Sequence, residues 1–155
     1  NAFGDFRKLK SVKFPKTLKQ IDAYAFCDTQ IRNLQLPDNV RAIGEEAFCT
    51  EAISGNMKTI KLSAKLKTIG KWAFSGQKFT ELTIPSNVEK IGSHAFSGCQ
   101  SLNKIVIKSK KLKKIGPLAF ETIGHNAVIY VPQEKEQEYR EMLRSAAPAV
   151  QIIAQ

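Results

Sequence analysis

The sequence predicts a mainly β repeat solenoid, in which short units of similar sequence stack along one axis. An Ala-Phe pair occurs six times, at steps of 23, 22, 26, 22 and 24 residues. Between these pairs, apolar residues recur at constant spacing, and a glycine returns at one point of the unit. A period of about 20–50 residues is typical of solenoids, whose units bury their apolar faces against their neighbours. The 155 residues are therefore expected to form one elongated domain.

Each unit starts with the pattern L-x-x-I-x-I, whose last three residues alternate as a half-buried strand does. We expect one strand per unit, paired in parallel with the next at about 4.8 Å. Proline follows the strand in four units, where its missing N–H leaves the ladder intact, and Ser63 and Lys108 replace it in the other two. The apolar triplets are Leu9, Val12, Phe14; Ile31, Leu34, Leu36; Met57, Ile60, Leu62; Phe79, Leu82, Ile84; and Leu102, Ile105, Ile107.

The second half of each unit carries another apolar pair, such as Leu18 and Ile21 in the first unit. Glycine follows this pair in four units, and Asp22 takes its place in the first. A glycine at one recurrent point predicts either a positive φ or a close approach of two backbone segments. The four glycines are Gly44, Gly70, Gly92 and Gly116.

The Ala-Phe pair should point into the core, because a phenylalanine ring needs a deep slot and the alanine makes room beside it. Rings that lie one unit apart would then form a single buried stack along the solenoid axis. The rings of this predicted stack are Phe3, Phe26, Phe48, Phe74, Phe96 and Phe120.

Residues 1–132 are interpreted as a solenoid of about six units with a truncated first unit, and residues 133–155 as a cap. Tyr139, Met142, Leu143 and Ala146 have helical spacing, so a helix should lay its apolar stripe over the last unit. Pro148 should end this helix, and an extended tail should follow. An open-ended solenoid needs such a cap.

The third unit, residues 47–72, is the longest, and its extra residues lie in the segment TEAISGNM after Phe48. Ser54, Gly55 and Asn56 predict a surface loop there. Insertions of this kind can shape a binding site, but a tolerated extension is expected because longer loops cost little free energy. Since Asn1 directly precedes an Ala-Phe pair, the sequence reads as a piece of a longer chain.

The segment Phe79–Cys99 shows almost the whole of L-x-x-I-x-I-P-x-x-V-x-x-I-G-x-x-A-F-x-x-C. In this pattern the chain resembles the BspA-like leucine-rich repeat family of bacterial and protozoan surface proteins, over residues 2–132. The resemblance implies a leucine-rich repeat, right-handed curved solenoid with a parallel concave sheet. It also implies a cell-surface or secreted location and a role in adhesion or binding rather than catalysis.

Basic residues are concentrated in the repeats, where 21 Lys and Arg face 10 Asp and Glu, and the whole chain has a formal net charge of +10. On the strand face, stacking of the units should align like charges in columns that attract an anionic polymer. A solvated surface that prevents aggregation explains the same lysines. The candidate ligand-binding residues are Lys10, Lys13, Arg32, Gln35, Lys58 and Lys61.

The three cysteines do not have the spacing of a zinc or redox motif. Cys99 takes the inward position of the pattern and is expected to be a buried small apolar residue. Cys27 and Cys49 each follow an Ala-Phe pair, one unit apart, and should be lateral neighbours. A disulfide between them is conceivable, but two free thiols are the expectation.

No constellation for catalysis or cofactor binding is recognisable in the sequence, so neither an enzyme nor a cofactor is expected. His94 and Trp72 precede Ala-Phe pairs of adjacent units, and they should be neighbours that either stack on a sugar ring or pack on the next turn. No apolar run of transmembrane length is present.

Two functions remain compatible with these sequence features. The first is a binding or adhesion module, whose partner would be a host or microbial surface protein or an acidic polysaccharide. The second is a structural spacer in a larger surface protein. Nucleic acid is not expected as the partner, and the chain is expected to be monomeric. The change from basic residues to Thr80, Thr83 and Val106 along the strand face favours binding.

Overall fold

The computed structural model describes residues 7–50 and 55–155, which form a solenoid with two sets of parallel strands on its sides. The long strands are β2 (Asn33–Gln35), β4 (Thr59–Lys61), β6 (Glu81–Ile84), β8 (Lys104–Ile107), β10 (Val128–Val131) and β11 (Gln151–Ala154). The short strands are β1 (Gln20–Ile21), β3 (Ala42–Ile43), β5 (Thr68–Ile69), β7 (Lys90–Ile91) and β9 (Lys114–Ile115).

The long strands of the repeats confirm the L-x-x-I-x-I prediction, because in β6 and β8 the apolar residues of the pattern are buried and the residues between them are exposed or half-buried. They form two separate pieces of sheet, β2–β4 and β6–β8–β10–β11. The first unit forms no long strand among its described residues. Its backbone is held to the second unit by bonds from Gln30 N to Leu9 O (2.9 Å) and from Arg32 N to Lys10 O (3.4 Å).

The sheet of long strands is interrupted between β4 and β6, in the unit that carries the insertion. Ahead of β4, the side chain of Gln77 joins the third and fourth units, since Oε1 accepts from Met57 N (3.1 Å) and Nε2 donates to Phe48 O (2.7 Å). Gln77 is only 4% exposed, and burial is tolerated because both ends of its amide are bonded. Residues 51–54 of the predicted loop lie outside the described part of the chain.

The resemblance implies short extended or turn segments in the second half of each unit, and the structure shows that these segments pair as a continuous second sheet of five strands. Each short strand contributes one buried isoleucine to the core, at Ile21, Ile43, Ile69, Ile91 and Ile115. Neighbouring strands keep a fixed register, in which each isoleucine lies opposite the isoleucine of the next unit. The second half of the unit is therefore held to its neighbours as regularly as the first half.

The glycine column is explained by close backbone approach and not by a positive φ. A Cβ atom on Gly70 would lie 2.4 Å from the carbonyl carbon of Gly44 in the preceding unit. Left-handed backbone occurs instead at the residue before each described Ala-Phe pair, with φ between 52° and 58°. These left-handed residues are Tyr24, Glu46, Trp72, His94 and Leu118.

The Ala-Phe pairs build the predicted core. The five described rings stack nearly parallel, with centroid separations of 5.2, 5.3, 5.5 and 5.3 Å and interplanar angles of 2–8°. All five rings are at most 6% exposed. Phe3, the sixth member of the predicted stack, lies outside the described residues. The stacked rings are Phe26, Phe48, Phe74, Phe96 and Phe120.

The turn after β8 corrects one residue assignment. Ser109, and not Lys108, occupies the position of proline, because Ser109 Oγ accepts from Lys111 N (3.0 Å) as Ser63 Oγ accepts from Lys65 N (3.3 Å). Both serines are fully buried. A serine hydroxyl can stabilise a turn in this way through its own local hydrogen bond, so it replaces the fixed φ of proline. The extra residue, Lys108, is exposed.

The C-terminal end is covered by a short 3₁₀ turn, Gln133–Lys135, and by helix α1 (Glu136–Ala146). Phe120 N donates to Ala146 O (2.8 Å), as Phe96 N donates to Ala119 O (2.8 Å) in the unit before. The end of the helix thus supplies the carbonyl groups that a further unit would have supplied. Buried Tyr139 also attaches the helix to the last units, because its hydroxyl donates to Ser109 O (3.0 Å). Strand β11 then pairs with β10.

The structure contains a disulfide between Cys27 and Cys49, which corrects the expectation of two free thiols. The inter-unit bonds from Phe26 N to Ala47 O (2.7 Å) and from Asp28 N to Cys49 O (2.9 Å) align the two segments. The Cα atoms of the cysteines are 4.8 Å apart, within the range that a disulfide spans. Cys99 is buried as predicted, and burial raises the pKa of its thiol to about 12.

Truncating a ring in the middle of the stack should be strongly destabilising. We expect Phe74→Ala to lower the free energy of unfolding by about 3–5 kcal/mol, because the cavity lies between two other rings and cannot collapse. Phe14→Ala, at a half-buried ring that meets Phe26 edge to face at 5.5 Å, should cost less. Urea denaturation measures both, and equal losses would contradict the stack as the centre of stability.

The division at Pro132 stays a prediction, and a chain that ends there tests it. Without residues 133–155, Phe120 loses the cover that leaves it 1% exposed, so we expect aggregation or a lower melting temperature. Tyr139→Phe keeps the ring but removes the hydroxyl that donates to Ser109 O and accepts from Leu112 N, and should cost about 1–3 kcal/mol. Equal solubility and melting temperature for the shortened and the full chain would show that the cap is dispensable.

The disulfide makes a prediction about thiol counts. Unfolded in denaturant without reductant, the protein should expose one reactive thiol, that of Cys99, and after reduction it should expose three. Reduction should also destabilise the fold by about 3 kcal/mol, the size expected for a closed loop of 22 residues. A count of three thiols before reduction would contradict the Cys27–Cys49 bond.

Candidate functional site

The six candidate residues lie on the strand face of the first three units, and all of their side chains are exposed. Lys10, Arg32 and Lys58 form one column at the start of the long strands. The column is continuous, since Arg32 N donates to Lys10 O (3.4 Å) and Lys58 N donates to Arg32 O (2.7 Å). Each basic side chain therefore leaves the backbone one unit from the next, as the sequence spacing predicted.

The other three candidates, Lys13, Gln35 and Lys61, form a second column towards the ends of the strands. Gln35 lies opposite Lys61 in the β2–β4 register. All three line one side of an open depression of about 630 Å³, which Lys16 in the following turn also lines. The structure therefore brings this column together with turn residues and leaves Lys10, Arg32 and Lys58 outside the depression.

A second depression of about 550 Å³ adjoins the first, beside the interruption between β4 and β6. Lys61 and Asp38 line both depressions, and Lys108 lies on the far side of the second. Ile60 in its lining is half-buried, whereas Leu82, at the same position of the next unit, is buried. We call the two depressions together the strand-end groove.

Sequence reasoning missed three charged residues of the strand-end groove, Lys16, Asp38 and Lys108. They belong to the turns after the strands and not to the alternating strand positions from which the candidates were chosen. The sequence did contain a signal for these residues, because a turn follows the strand at the same point of each unit. That place brings the turns of successive units side by side, just as it does the strands.

The candidate residues differ from the C-terminal lysines in their electrostatic partners. Within residues 7–50 and 55–155, the basic candidates, Lys16 and Lys108 form no ion pair. In contrast, Lys110 pairs with Glu134, and Lys113 pairs with Glu89 at 2.8 Å. The hydrogen bond from Lys113 lowers the pKa of Glu89. The charges of Lys110 and Lys113 are thus partly neutralised, whereas those of the basic candidates, Lys16 and Lys108 are not.

Trp72 and His94 are neighbours, as predicted, and their rings stack with centroids 4.0 Å apart and an interplanar angle of 9°. Both are half buried. His94 Nε2 also lies 3.9 Å from a carboxylate oxygen of Glu121 in the next unit. The pair therefore packs along its column from unit to unit, which accounts for its placement without a ligand.

Among the described residues, no three His, Cys, Asp or Glu side chains lie close enough together to hold a metal ion. The same part of the chain contains no helix long and apolar enough to cross a membrane.

Three solved structures are similar to this chain. A leucine-rich cell surface protein from Faecalibacterium prausnitzii is 20% identical, with a TM-score of 0.62 over 96% of this chain and 33% of that one. The pneumococcal vaccine antigen PcpA is 22% identical, with a TM-score of 0.65 over 96% and 42%. A leucine-rich repeat protein from Bacteroides ovatus is 20% identical, with a TM-score of 0.55 over 95% and 48%.

At these identities the structures show a shared fold, and this chain spans between a third and a half of their lengths. A search of curated proteins gives no match. The BspA type leucine rich repeat region matches the sequence in six copies, over residues 1–76 and 52–142. With the stacked Ala-Phe units and the parallel strands described above, this match shows that the chain belongs to the BspA-type leucine-rich repeat family.

Proposed function

We propose that this chain is a non-catalytic binding module of a cell-surface or secreted protein, and that it attaches to a surface protein or glycan. The observation that carries the proposal is the row of basic side chains on the first three units, which have no ion-pair partner among the described residues. A solenoid presents such a row as a long, regular surface, which suits an extended partner.

The stacking of units gives the row its strength as an anion-binding surface. Lys58 and Arg32 are joined by a backbone hydrogen bond of 2.7 Å, so their side chains start about one strand spacing, or 4.8 Å, apart. This distance is shorter than the Debye length of about 8 Å at physiological salt. The potentials of neighbouring side chains therefore add, and an acidic partner that spans several units meets them together.

Two further observations support a location outside the cytoplasm. One of the similar structures is a cell surface protein and another is a vaccine antigen. The Cys27–Cys49 disulfide fits the same location, because disulfides persist mainly in oxidising compartments. In this proposal the module acts as a monomer, needs no cofactor and binds no nucleic acid.

A structural spacer is the second candidate. Exposed lysines also protect the strands of a sheet protein from association, and Lys110 and Lys113 at the last units engage Glu134 and Glu89 of the same chain. A spacer would show no preference between the basic residues of the first units and those of the last ones, and this difference separates the two functions.

The test is a binding titration with acidic polysaccharides at two ionic strengths. We expect binding at low salt that weakens steeply as salt rises. The reason is that the protein displaces small cations that surround the acidic polymer, and high salt opposes their release. Neutralising Arg32, Lys58 and Lys61 together should reduce both the affinity and the salt dependence. The matched control neutralises Lys110, Lys111 and Lys113, where Glu134, Asn87 and Glu89 already engage the charges, and should matter less.

Two results would count against the binding module. The absence of any binding at low salt would favour the spacer. A loss of the same size from both triple variants would mean that overall net charge, and not the row on the first units, attracts the polymer.

A further inference from the structure

We propose that the strand-end groove, rather than the column of Lys10, Arg32 and Lys58, holds the carboxylates of a polysaccharide in which acidic and neutral sugars alternate. The inference rests on the proposed function, since it names the ligand chemistry and the contact residues within the same basic face.

The shape of the groove suits linked small units. Its two depressions have volumes of about 630 and 550 Å³, and each falls in the range of about 300–1,000 Å³ that is usual for small-molecule sites. They adjoin at Lys61 and Asp38, which line both. A chain of linked sugar rings can therefore place one segment in each depression and pass over Lys61 and Asp38 between them.

Positive charge lies along the whole groove. Lys13 and Lys16 line the first depression, Lys61 lies where the two meet, and Lys108 lines the second. All four are exposed, and none is engaged by a carboxylate in the described part of the chain. By contrast, the residues of the Lys10 column line neither depression, and exposed ion pairs outside such a depression contribute little to binding.

The walls of the groove are held in place by side chains that reach between units. Asn39 Nδ2 donates to Lys16 O (2.9 Å), and Asn87 Nδ2 donates to Ala64 O (3.0 Å). Their Oδ1 atoms accept from Lys65 (3.0 Å) and from Lys111 (2.8 Å). Because these amides are fixed at both ends, the two Asn side chains do not have to be ordered when a ligand binds, which lowers the free-energy cost of binding.

The remaining lining favours a sugar over a protein segment. Thr83 and Ser86 add hydroxyl groups to the second depression, and Ile60 is its half-buried apolar part. Protein interfaces depend instead on deep pockets for aromatic or arginine anchors. Among the described residues, no aromatic side chain lines the second depression. The hydroxyl groups of the second depression and the separate lysines of both match the hydrogen bonds and carboxylates of an acidic polysaccharide.

Asp38 determines the charge pattern of the ligand. Its carboxylate is exposed at the junction of the two depressions and has no ion-pair partner within residues 7–50 and 55–155. It repels a carboxylate that lies beside it and so offsets the attraction of Lys61 at the junction, whereas Lys16 and Lys108 attract carboxylates on the two sides. A polymer with a neutral sugar between two acidic sugars avoids this repulsion, and a polymer with a carboxylate on every sugar does not.

The test uses hyaluronan oligosaccharides, in which glucuronate alternates with a neutral sugar, and polygalacturonate oligosaccharides, in which every unit is acidic. We expect the full chain to bind hyaluronan more tightly at low salt in calorimetric titrations. Lys16→Gln with Lys108→Gln should weaken hyaluronan binding about fivefold or more. The matched double variant, Lys10→Gln with Arg32→Gln, removes the same charge and should change binding less than about twofold.

A variant that removes a negative charge tests the groove in the opposite direction. Asp38→Asn should strengthen the binding of both polymers, and it should do so more for polygalacturonate, so that the preference for hyaluronan shrinks. Thermal melts confirm that each variant is folded. Polyaspartate serves as the acidic polypeptide, and it should bind more weakly than hyaluronan to the unaltered chain.

The outcomes separate the groove from the proposed function. A larger loss from the Lys10 and Arg32 variant, an equal loss from both doubles, or no gain from Asp38→Asn overturns the groove and leaves a basic binding module in place. Tighter binding of polyaspartate overturns the choice of a polysaccharide. If none of the three polymers binds at low salt, the proposed function falls together with the groove.

Discussion

The stacking of one repeat on the next at a single spacing is the constraint on which the rest of this structure depends. Phenylalanine rings from Phe26 to Phe120 lie 5.2–5.5 Å apart in the core. Strands and backbone hydrogen bonds follow the same spacing on two sides of the solenoid. The side chains of each column therefore lie at the spacing of the repeats, whether the column is apolar and buried or basic and exposed. The glycine column shows its strictness, because no room remains for a Cβ atom between Gly44 and Gly70.

The same spacing explains how the solenoid ends and where it becomes irregular. At the C-terminus, Ser145 and Ala146 of helix α1 accept the hydrogen bonds of Leu118 N (2.7 Å) and Phe120 N (2.8 Å). The side chain of Arg140 donates to Ile152 O (2.8 Å) on the outer strand, which blunts an edge that could otherwise pair with another chain. Beside the insertion, the side chain of Gln77 from the fourth unit bonds to the backbone of Met57 and Phe48 in the third unit. The strand-end groove lies beside this irregular unit, where the sheet of long strands opens.

Sequence reasoning succeeded where a column consists of one residue type with one physical role. Apolar columns could be assigned to strands and core because burial demands them in every unit, and Trp72 and His94 could be placed side by side from register alone. The pairing of the short strands was not predicted because two residues are too few to show alternation. The left-handed column was missed because Tyr24, Trp72 and Leu118 are residues that rarely adopt a positive φ.

The candidate site was predicted in part for the same reason. Lys13, Gln35 and Lys61 were placed on one surface by their strand positions, but Lys16 and Lys108 lie in turns, where a single extra residue shifts the alignment. That shift also led to the assignment of Lys108 to the position that Ser109 occupies. The disulfide was underestimated because register places Cys27 beside Cys49 but does not show that their side chains face each other.

The central claim is that repeat stacking collects positive charge without ion-pair partners along the strand-end groove and makes it a site for an acidic polymer. Nuclear magnetic resonance tests this claim most directly, by following each backbone amide while a hyaluronan oligosaccharide is added at low salt. The account predicts shifts at the amides of Lys13, Lys61, Thr83 and Lys108 that saturate together. Shifts that centre on Lys110, Lys111 and Lys113, or that spread evenly over all units, would contradict it.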